Sequence, residues 1–171
     1  MGFALAEACA ERGAEVTLVA GPVSLKTHHP AIKRIDVESA GEMYQAAMTA
    51  FPSSDAAILC AAVADYRSEN ASEQKIKRET EGEMTLHLVP NPDIAASLGA
   101  IKREGQVMVG FALETNDEAT HAEGKLKRKN LDFIVLNSLR DQGAGFRCDT
   151  NKITIIDNAG GVTSYPLKTK R

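Results

Sequence analysis

No stretch of this sequence holds the roughly 20 consecutive apolar residues that a helix needs to cross a bilayer. The N-terminus has neither the basic start nor the apolar centre of a secretory signal, so the chain reads as cytoplasmic. Met1-Gly2 is followed by Ala6 where a myristoylation signal needs Ser or Thr, which removes a lipid anchor of that kind. Excess charge is missing too: 20 Lys and Arg against 23 Asp and Glu leave a net charge of −3. That balance argues against a general binder of nucleic acid or of anionic membranes, and any anion must be held by a local basic cluster. Cysteine is scarce, and Cys9, Cys60 and Cys148 lie too far apart to form a zinc or redox pair, so reduced, unlinked thiols are expected. His28, His29, His87 and His121 have no metal-type spacing, and metal ligands stay unassigned. The glycine fingerprint of dinucleotide folds and the lysine loop of P-loop enzymes are both absent, which weakens a generic dinucleotide-dependent enzyme as a reading.

What is present is a soluble-protein composition, 171 residues with 43% hydrophobic, enough for one domain with a sizeable core. Phe3, Leu5, Ala6, Cys9 and Ala10 form a helical stripe that Gly13 stops; the strand Glu15–Ala20 and a Gly21-Pro22 turn follow. A first helix in an alternating α/β chain normally follows a strand, since it is the crossover between two parallel strands. No such strand precedes this helix in the sequence, so the chain reads as truncated upstream, the alternative being a natural start with an unpaired helix. Lys33–Val37 is a short strand, and Ser39 with Glu42 has capping-box spacing before the face of Met43, Ala46, Ala47, Ala50 and Phe51, ended by Pro52.

A buried strand is expected over Ala56–Ala62, then a polar segment 68–83, then an alternating strand Met84–Val89 that pairs outside the main sheet. Asn91-Pro92 reads as cap and first residue of a helix through Ile94, Leu98 and Ile101. The strand Val107–Leu113, a polar helix over about 117–129, the strand Asp132–Asn137 and a loop over 138–150 come next. Lys152–Asp157 and Val162–Leu167 flank Asn158-Ala-Gly-Gly161 as a hairpin. The pattern predicts a Rossmann-like three-layer α/β/α domain, mostly parallel, with a C-terminal β-hairpin and a strand-bearing excursion near 67–90. Ligands of such folds sit at the carboxyl ends of the parallel strands.

That rule selects Asp65, where the apolar run ends: a carboxylate there can cap a helix, hold a ribose or position a metal on a phosphate chain. Lys75, Lys77 and Arg78 form a cationic turn that could hold a triphosphate, or could be solvated surface, since Glu73, Glu79 and Glu81 are mixed in. Lys125 and Lys129 share a helix face beside Lys127 and Arg128; they could collect phosphates or simply favour the helix dipole. Asn91-Pro-Asp93 suits an anion or a base edge, or plain capping. Cys60 lacks an obvious base and reads better as a small buried residue than as a nucleophile.

Taken in order, Gly21-Pro-Val, Ala61-Ala-Val-Ala-Asp-Tyr66, Lys75-Ile-Lys77, Asn91-Pro-Asp-Ile94, Gly110-Phe-Ala-Leu-Glu-Thr115 and Lys129-Asn-Leu-Asp132 give a chain that resembles phosphopantothenoylcysteine synthetase, the ligase half of the bifunctional bacterial coenzyme A flavoprotein. The match runs from Met1 to the terminal hairpin. The resemblance implies amide formation between 4'-phosphopantothenate and L-cysteine, with CTP cleaved to CMP and pyrophosphate through an acyl cytidylate.

It implies Asp65 as a nucleotide-binding aspartate and Lys75 as the catalytic lysine, which also binds nucleotide. Leu59, Cys60, Ala61, Asn91, Pro92, Asp93, Ile94, Phe111, Lys125 and Lys129 would line the nucleotide, and Ala61 and Ala62 the acyl substrate. Magnesium accompanying CTP, a homodimer formed partly by the excursion after Tyr66, no flavin in this domain, and a fused or associated flavin-dependent decarboxylase are also implied. The family's glycine-rich first strand and its Asn-x-Ser-Ser-Gly-Lys segment fall before Met1, and its C-terminal helix after Arg171, so the acyl-substrate half looks incomplete. The alternative is therefore a truncated, non-catalytic CTP-binding module. Preference for CTP over ATP does not follow from the residues, because the base pocket is built largely from backbone.

Overall fold

The computed structural model describes residues 1–70, 72, 74, 85–114, 118–138 and 150–170. It is an α/β fold, and its elements follow from local rules. Helix α1 (Gly2–Glu11) ends where Gly13 takes φ +92°. There the Ala14 and Gly13 amides return to the carbonyls of Cys9 and Ala10, the paired bonds of a Schellman ending that glycine enters without steric cost. Helix α2 (Ala40–Ala50) begins on the expected box, with the Ser39 hydroxyl accepting from the Glu42 amide at 3.1 Å. The Glu42 carboxylate reaches one residue further back than the usual box, to the Glu38 amide at 2.7 Å, and that bond holds its carboxyl below the ordinary carboxylate range.

Strands β1 (Val16–Ala20) and β2 (Ile32–Asp36) form a two-stranded parallel sheet. β3 (Ala56–Leu59), β6 (Val107–Glu114), β7 (Phe133–Ser138), β8 (Thr150–Asp157) and β9 (Val162–Thr169) form a five-stranded sheet in the order β3-β6-β7-β8-β9. The pairs β3–β6 and β6–β7 are parallel; β7–β8 and the closing hairpin are antiparallel. A third, two-stranded ribbon pairs β4 (Tyr66–Ser68) with β5 (Leu88–Pro90) antiparallel. Helices α3 (Ile94–Ile101) and α4 (Glu118–Arg128) complete the chain.

The main core lies between the five-stranded sheet and the helices that follow β2. Phe51 at the end of α2, Leu98 of α3 and Ala122 and Leu126 of α4 pack with Met108, Ala112, Leu131, Ile134, Leu136 and Ile156. Gly110 of β6 makes room there: a Cβ would meet the Leu131 Cδ1 at 2.7 Å, so any larger residue would have to displace the leucine that fills this space.

Several expectations need correction. The strand expected over Ala56–Ala62 stops at Leu59, and it is an edge strand with Ile58 40% exposed. Its last partner is Gly110; Ala61, Ala62 and Ala64 beyond it bring too little side chain to hold the chain on the sheet, and it leaves to pair β4 with β5. Residues 85–87 of the alternating segment are irregular, and pairing starts at Leu88. The cap of α3 is Asp93, not Asn91, so Pro92 precedes the helix. The Asn91 side chain is used elsewhere, as described below. The hairpin strands extend two residues further than expected, and β2 begins one residue earlier. The loop 139–149 and the cationic turn with Lys75, Lys77 and Arg78 lie outside the described residues.

One topological feature stands out. β1 is hydrogen-bonded only to β2 and β3 only to β6, so among the described residues each has an unpaired edge. Helix α1, which packs on β1 and β2, starts at the carboxyl end of β3: a Cβ on Gly2 would lie 3.2 Å from the Cys60 Sγ.

Candidate functional site

The carboxyl end of β3 is connected to the start of α3 by a set of bonds that no sequence spacing announces. The Asn91 amide donates to the Asp65 carbonyl at 2.8 Å, and the Asn91 side-chain Nδ2 donates to the Ala64 carbonyl at 2.9 Å. From the neighbouring strand, an Arg67 guanidinium nitrogen donates to the Pro90 carbonyl at 2.8 Å and to the Asn91 Oδ1 at 3.3 Å. The loop 60–65, the β4–β5 ribbon and the Asn91-Pro-Asp-Ile94 segment are thereby fixed together, over a separation of more than twenty residues. Asp65, an exposed residue, stands at that junction, as do the exposed residues Ala61 and Ala62. Because both functional groups of Asn91 are used in this link, its part is to hold the loop, and Arg67 is a residue of the junction that sequence reasoning passed over.

Asp93 does two things. Its Oδ1 accepts from the Ala96 amide at 3.0 Å, the ordinary N-cap bond, and its Oδ2 pairs with the Lys129 ammonium at 3.0 Å. Burial pushes its carboxyl up, but the Ala96 amide and Lys129 outweigh that and hold it below the usual carboxylate range. Asp93 and Lys129, two of the expected site residues 36 positions apart, are thus in contact. The carboxylate also engages the Ala96 amide, so that amide of the α3 start is not free for a phosphate while Asp93 caps it.

Lys129 is placed by its backbone. It closes α4, with the Leu131 amide bonded to the Leu126 carbonyl and the Asn130 amide to the Lys127 carbonyl. Asn130 takes the left-handed conformation at φ 50°, which makes a Schellman ending with asparagine in place of glycine. The Asn130 Nδ2 donates to the Gly99 carbonyl of α3 at 3.0 Å, and a Cβ on Gly99 would fall inside the contact radius of the Lys129 carbonyl oxygen. The Lys102 ammonium, 12% exposed, donates to the Asn130 carbonyl at 3.1 Å and pairs with Asp132 at 2.7 Å. Asp132 also accepts from the Met108 amide at 2.7 Å. Of these, only the string Lys129-Asn-Leu-Asp132 was visible in the sequence; Gly99 and Lys102 carried no signal.

The remaining expected residues fall as follows. Ile94 packs on the main core, and Phe111 is half-buried in β6 one position beyond the partner of Leu59. Lys125 is half-buried in the last turn of α4. Cys60 is half-buried beside Gly2, and burial pushes its thiol up, which suits a packed residue and not a thiolate nucleophile. Lys75 lies outside the described residues. Among the described residues no three His, Cys, Asp or Glu side chains converge as a metal cage, and no helix is long and apolar enough to cross a membrane. A surface concavity lined by Leu126, Lys127, Asn130, Asp157 and Asn158 lies at the amino end of the strands and includes none of the expected residues.

Comparison with known proteins places the chain in context. The family model described as the DNA/pantothenate metabolism flavoprotein C-terminal domain matches residues 1–171. A curated relative from an unknown prokaryotic organism, called a cysteine/cysteine sulfinic acid decarboxylase, is 57% identical over 170 residues, covering 99% of this chain and 47% of the relative. The coenzyme A biosynthesis bifunctional protein CoaBC of Vibrio parahaemolyticus is 50% identical over 157 residues, covering 91% of this chain and 39% of that protein. The chain thus spans less than half the length of these curated relatives. Among solved structures, the C-terminal domain of a CoaBC protein aligns with a TM-score of 0.79 at 37% identity, over 99% of this chain and 75% of that one.

Proposed function

The chain belongs to the DNA/pantothenate metabolism flavoprotein C-terminal domain family, and from that premise we propose that it is the phosphopantothenate–cysteine ligase unit of a longer, bifunctional polypeptide. The reaction joins 4'-phosphopantothenate to L-cysteine. The substrate carboxylate attacks the α-phosphorus of CTP and expels pyrophosphate; the cysteine amine then attacks the acyl carbon of the cytidylate, loses a proton, and expels CMP. A free carboxylate is a poor acceptor for an amine, and the nucleotide supplies the leaving group.

The observation that carries this reading is the link of Asp65 to Asn91 beyond the carboxyl end of β3, together with the Asp93–Lys129 ion pair at the start of α3. These contacts connect expected nucleotide residues from three separate stretches, and the loop after β3 leaves the sheet at the end where ligands of such folds bind, which supports the reading. In this reading the exposed backbone of the 60–65 loop and the Asn91–Ile94 segment flank the nucleotide, and Phe111 and Ile94 close it from the core side. Lys125 and Lys129 supply positive charge to the phosphates, and Lys75 stabilises the charge that builds on the reacting centre. Ala61 and Ala62 sit where the acyl substrate would meet the loop. If magnesium accompanies the nucleotide, the exposed Asp65 carboxylate is the residue that would help hold it, and the ion would neutralise phosphate charge there.

We also propose that this unit works with its sheet completed. One more parallel strand, entering α1 by a right-handed crossover, would pair with the edges of β1 and β3 that are unpaired among the described residues, and α1 starts against the end of β3 as such a crossover requires. Without that strand the chain is expected to hold CTP and not the acyl substrate. The homodimer, the β4–β5 ribbon as part of its contact, and the flavin-dependent decarboxylase partner belong to the same proposal. The name of the 57% identical relative concerns a protein about twice this length, whereas the ligase reading concerns the CoaBC C-terminal domain alone.

The test is pyrophosphate release by the full-length polypeptide. Release should require CTP, phosphopantothenate and cysteine together, and Lys75→Gln should lower it by at least about a thousandfold, the scale of losing one main charge-stabilising group. Near-wild-type turnover by that variant would remove Lys75 from its role, and release without cysteine at the full rate would remove the ligase reading.

A further inference from the structure

The cation at the start of α3 is held at both ends, and the groups that hold it have a function of their own. At its backbone end Lys129 cannot drift. It closes α4 by a Schellman ending, Asn130 bonds to Gly99, and the Lys129 carbonyl lies so close over Gly99 that no side chain fits between the helices. At its other end the ammonium sits 3.0 Å from the Asp93 carboxylate, which is itself fixed by capping α3. The side chain spans the gap between two fixed points, and it is three-quarters covered, with 26% relative exposure. A lysine on an open surface samples many rotamers and loses that freedom when it meets a phosphate. This one has lost much of it before any ligand arrives.

We infer that Asp93 is a positioning residue for Lys129: through the ion pair it keeps the ammonium aimed along the start of α3, so that a nucleotide polyphosphate meets a cation already in place. Gly99 serves the same end by letting the backbone of Lys129 lie against α3. The inference rests on the nucleotide reading of this site, and it moves Asp93 from the group that touches the nucleotide to the group that holds the residue that does. The carboxylate's own negative charge opposes a phosphate nearby, but it is engaged on one oxygen by the Ala96 amide and on the other by the lysine, which spreads and offsets that charge.

The measurement is CTP affinity by calorimetry on the 171-residue chain, with magnesium present, for Asp93→Asn, Lys129→Met and the double variant. Asparagine caps a helix about as well as aspartate, so the melting temperature of Asp93→Asn should stay within about 2 °C of the parent. Its affinity should fall by about fivefold and that of Lys129→Met by about tenfold. The double variant should bind no more than about twofold worse than Lys129→Met alone, the signature of two residues acting as one. Losses that multiply in the double variant would show that Asp93 acts on the ligand independently. Unchanged or tighter binding by Asp93→Asn, with Lys129→Met weakened, would overturn the positioning role and leave the nucleotide reading standing. Undiminished binding by Lys129→Met would overturn both.

Discussion

The α1–β1–β2 unit and the five-stranded sheet are built from the same kinds of element and are packed very differently. The residues buried in the first are small or few: Ala6 and Ala10 of α1, Ala20 of β1 and Val37 after β2. The second buries Phe51, Leu98, Met108, Leu126, Leu131, Ile134, Leu136 and Ile156 in one continuous core. Parallel strands are ordinarily covered on both faces and flanked within larger sheets, and a two-stranded sheet by itself is marginal. The contrast teaches that the stability of this chain resides in the sheet that ends in the hairpin. The first unit, two parallel strands with an unpaired edge among the described residues, has far less to hold it.

The largest effect that tests this comparison is a cavity in each half. Leu98→Ala, from a side chain 1% exposed, should cost about 3 kcal/mol in urea unfolding, while Val37→Ala should cost less than half as much. Equal losses would mean that the two halves share one core. Hydrogen exchange gives the next effect: amides of β1 and β2 should exchange on the order of a hundredfold faster than those of β6 and β7, through local opening. Uniform protection would break the comparison, and slowing of β1 and β3 together in the full-length polypeptide would sharpen it.

The smallest effect is in acid. Burial raises the Asp132 carboxyl, but the Lys102 ammonium and the Met108 amide more than reverse this and hold it below its ordinary value. A carboxyl lowered on folding contributes stability that is present above its unfolded pKa, near 3.9, and is lost as pH falls through the folded value. Thermal melts from pH 6 downward should therefore lose less stability in Asp132→Asn than in the parent, whose start is higher. Parallel curves would show that Asp132 does not carry this acid sensitivity.

Much of this was legible beforehand, and particular residues explain where it was not. Gly13 as a helix stop, Ser39 with Glu42 as a box and Asn158-Ala-Gly-Gly161 as a turn act within five residues, so their consequences are written locally. The end of β3 was misplaced because Ala61-Ala62-Val63-Ala64 is apolar enough for a strand, yet what ended the strand was pairing between β4 and β5 twenty residues away. Asn91 looked like a cap for the same reason, since its bond to Ala64 is a contact between distant segments and Asp93 was free to cap in its place. Gly99 carried no signal because a glycine's need for space depends on what lies above it.

By itself the sequence determined the alternation of helix and strand, the end of α1 and the start of α2, the hairpin and the stretches from which a site would be drawn. These depend on periodicity and on side chains bonding to their own backbone, forces that act over one or two turns. Only the tertiary structure decided that Asp65 is anchored to Asn91, that Asp93 pairs with Lys129, and that β1 and β3, among the described residues, belong to separate sheets. Those outcomes depend on which surfaces meet once the core of Leu98, Met108 and Ile134 has excluded water, and no local pattern contains that information.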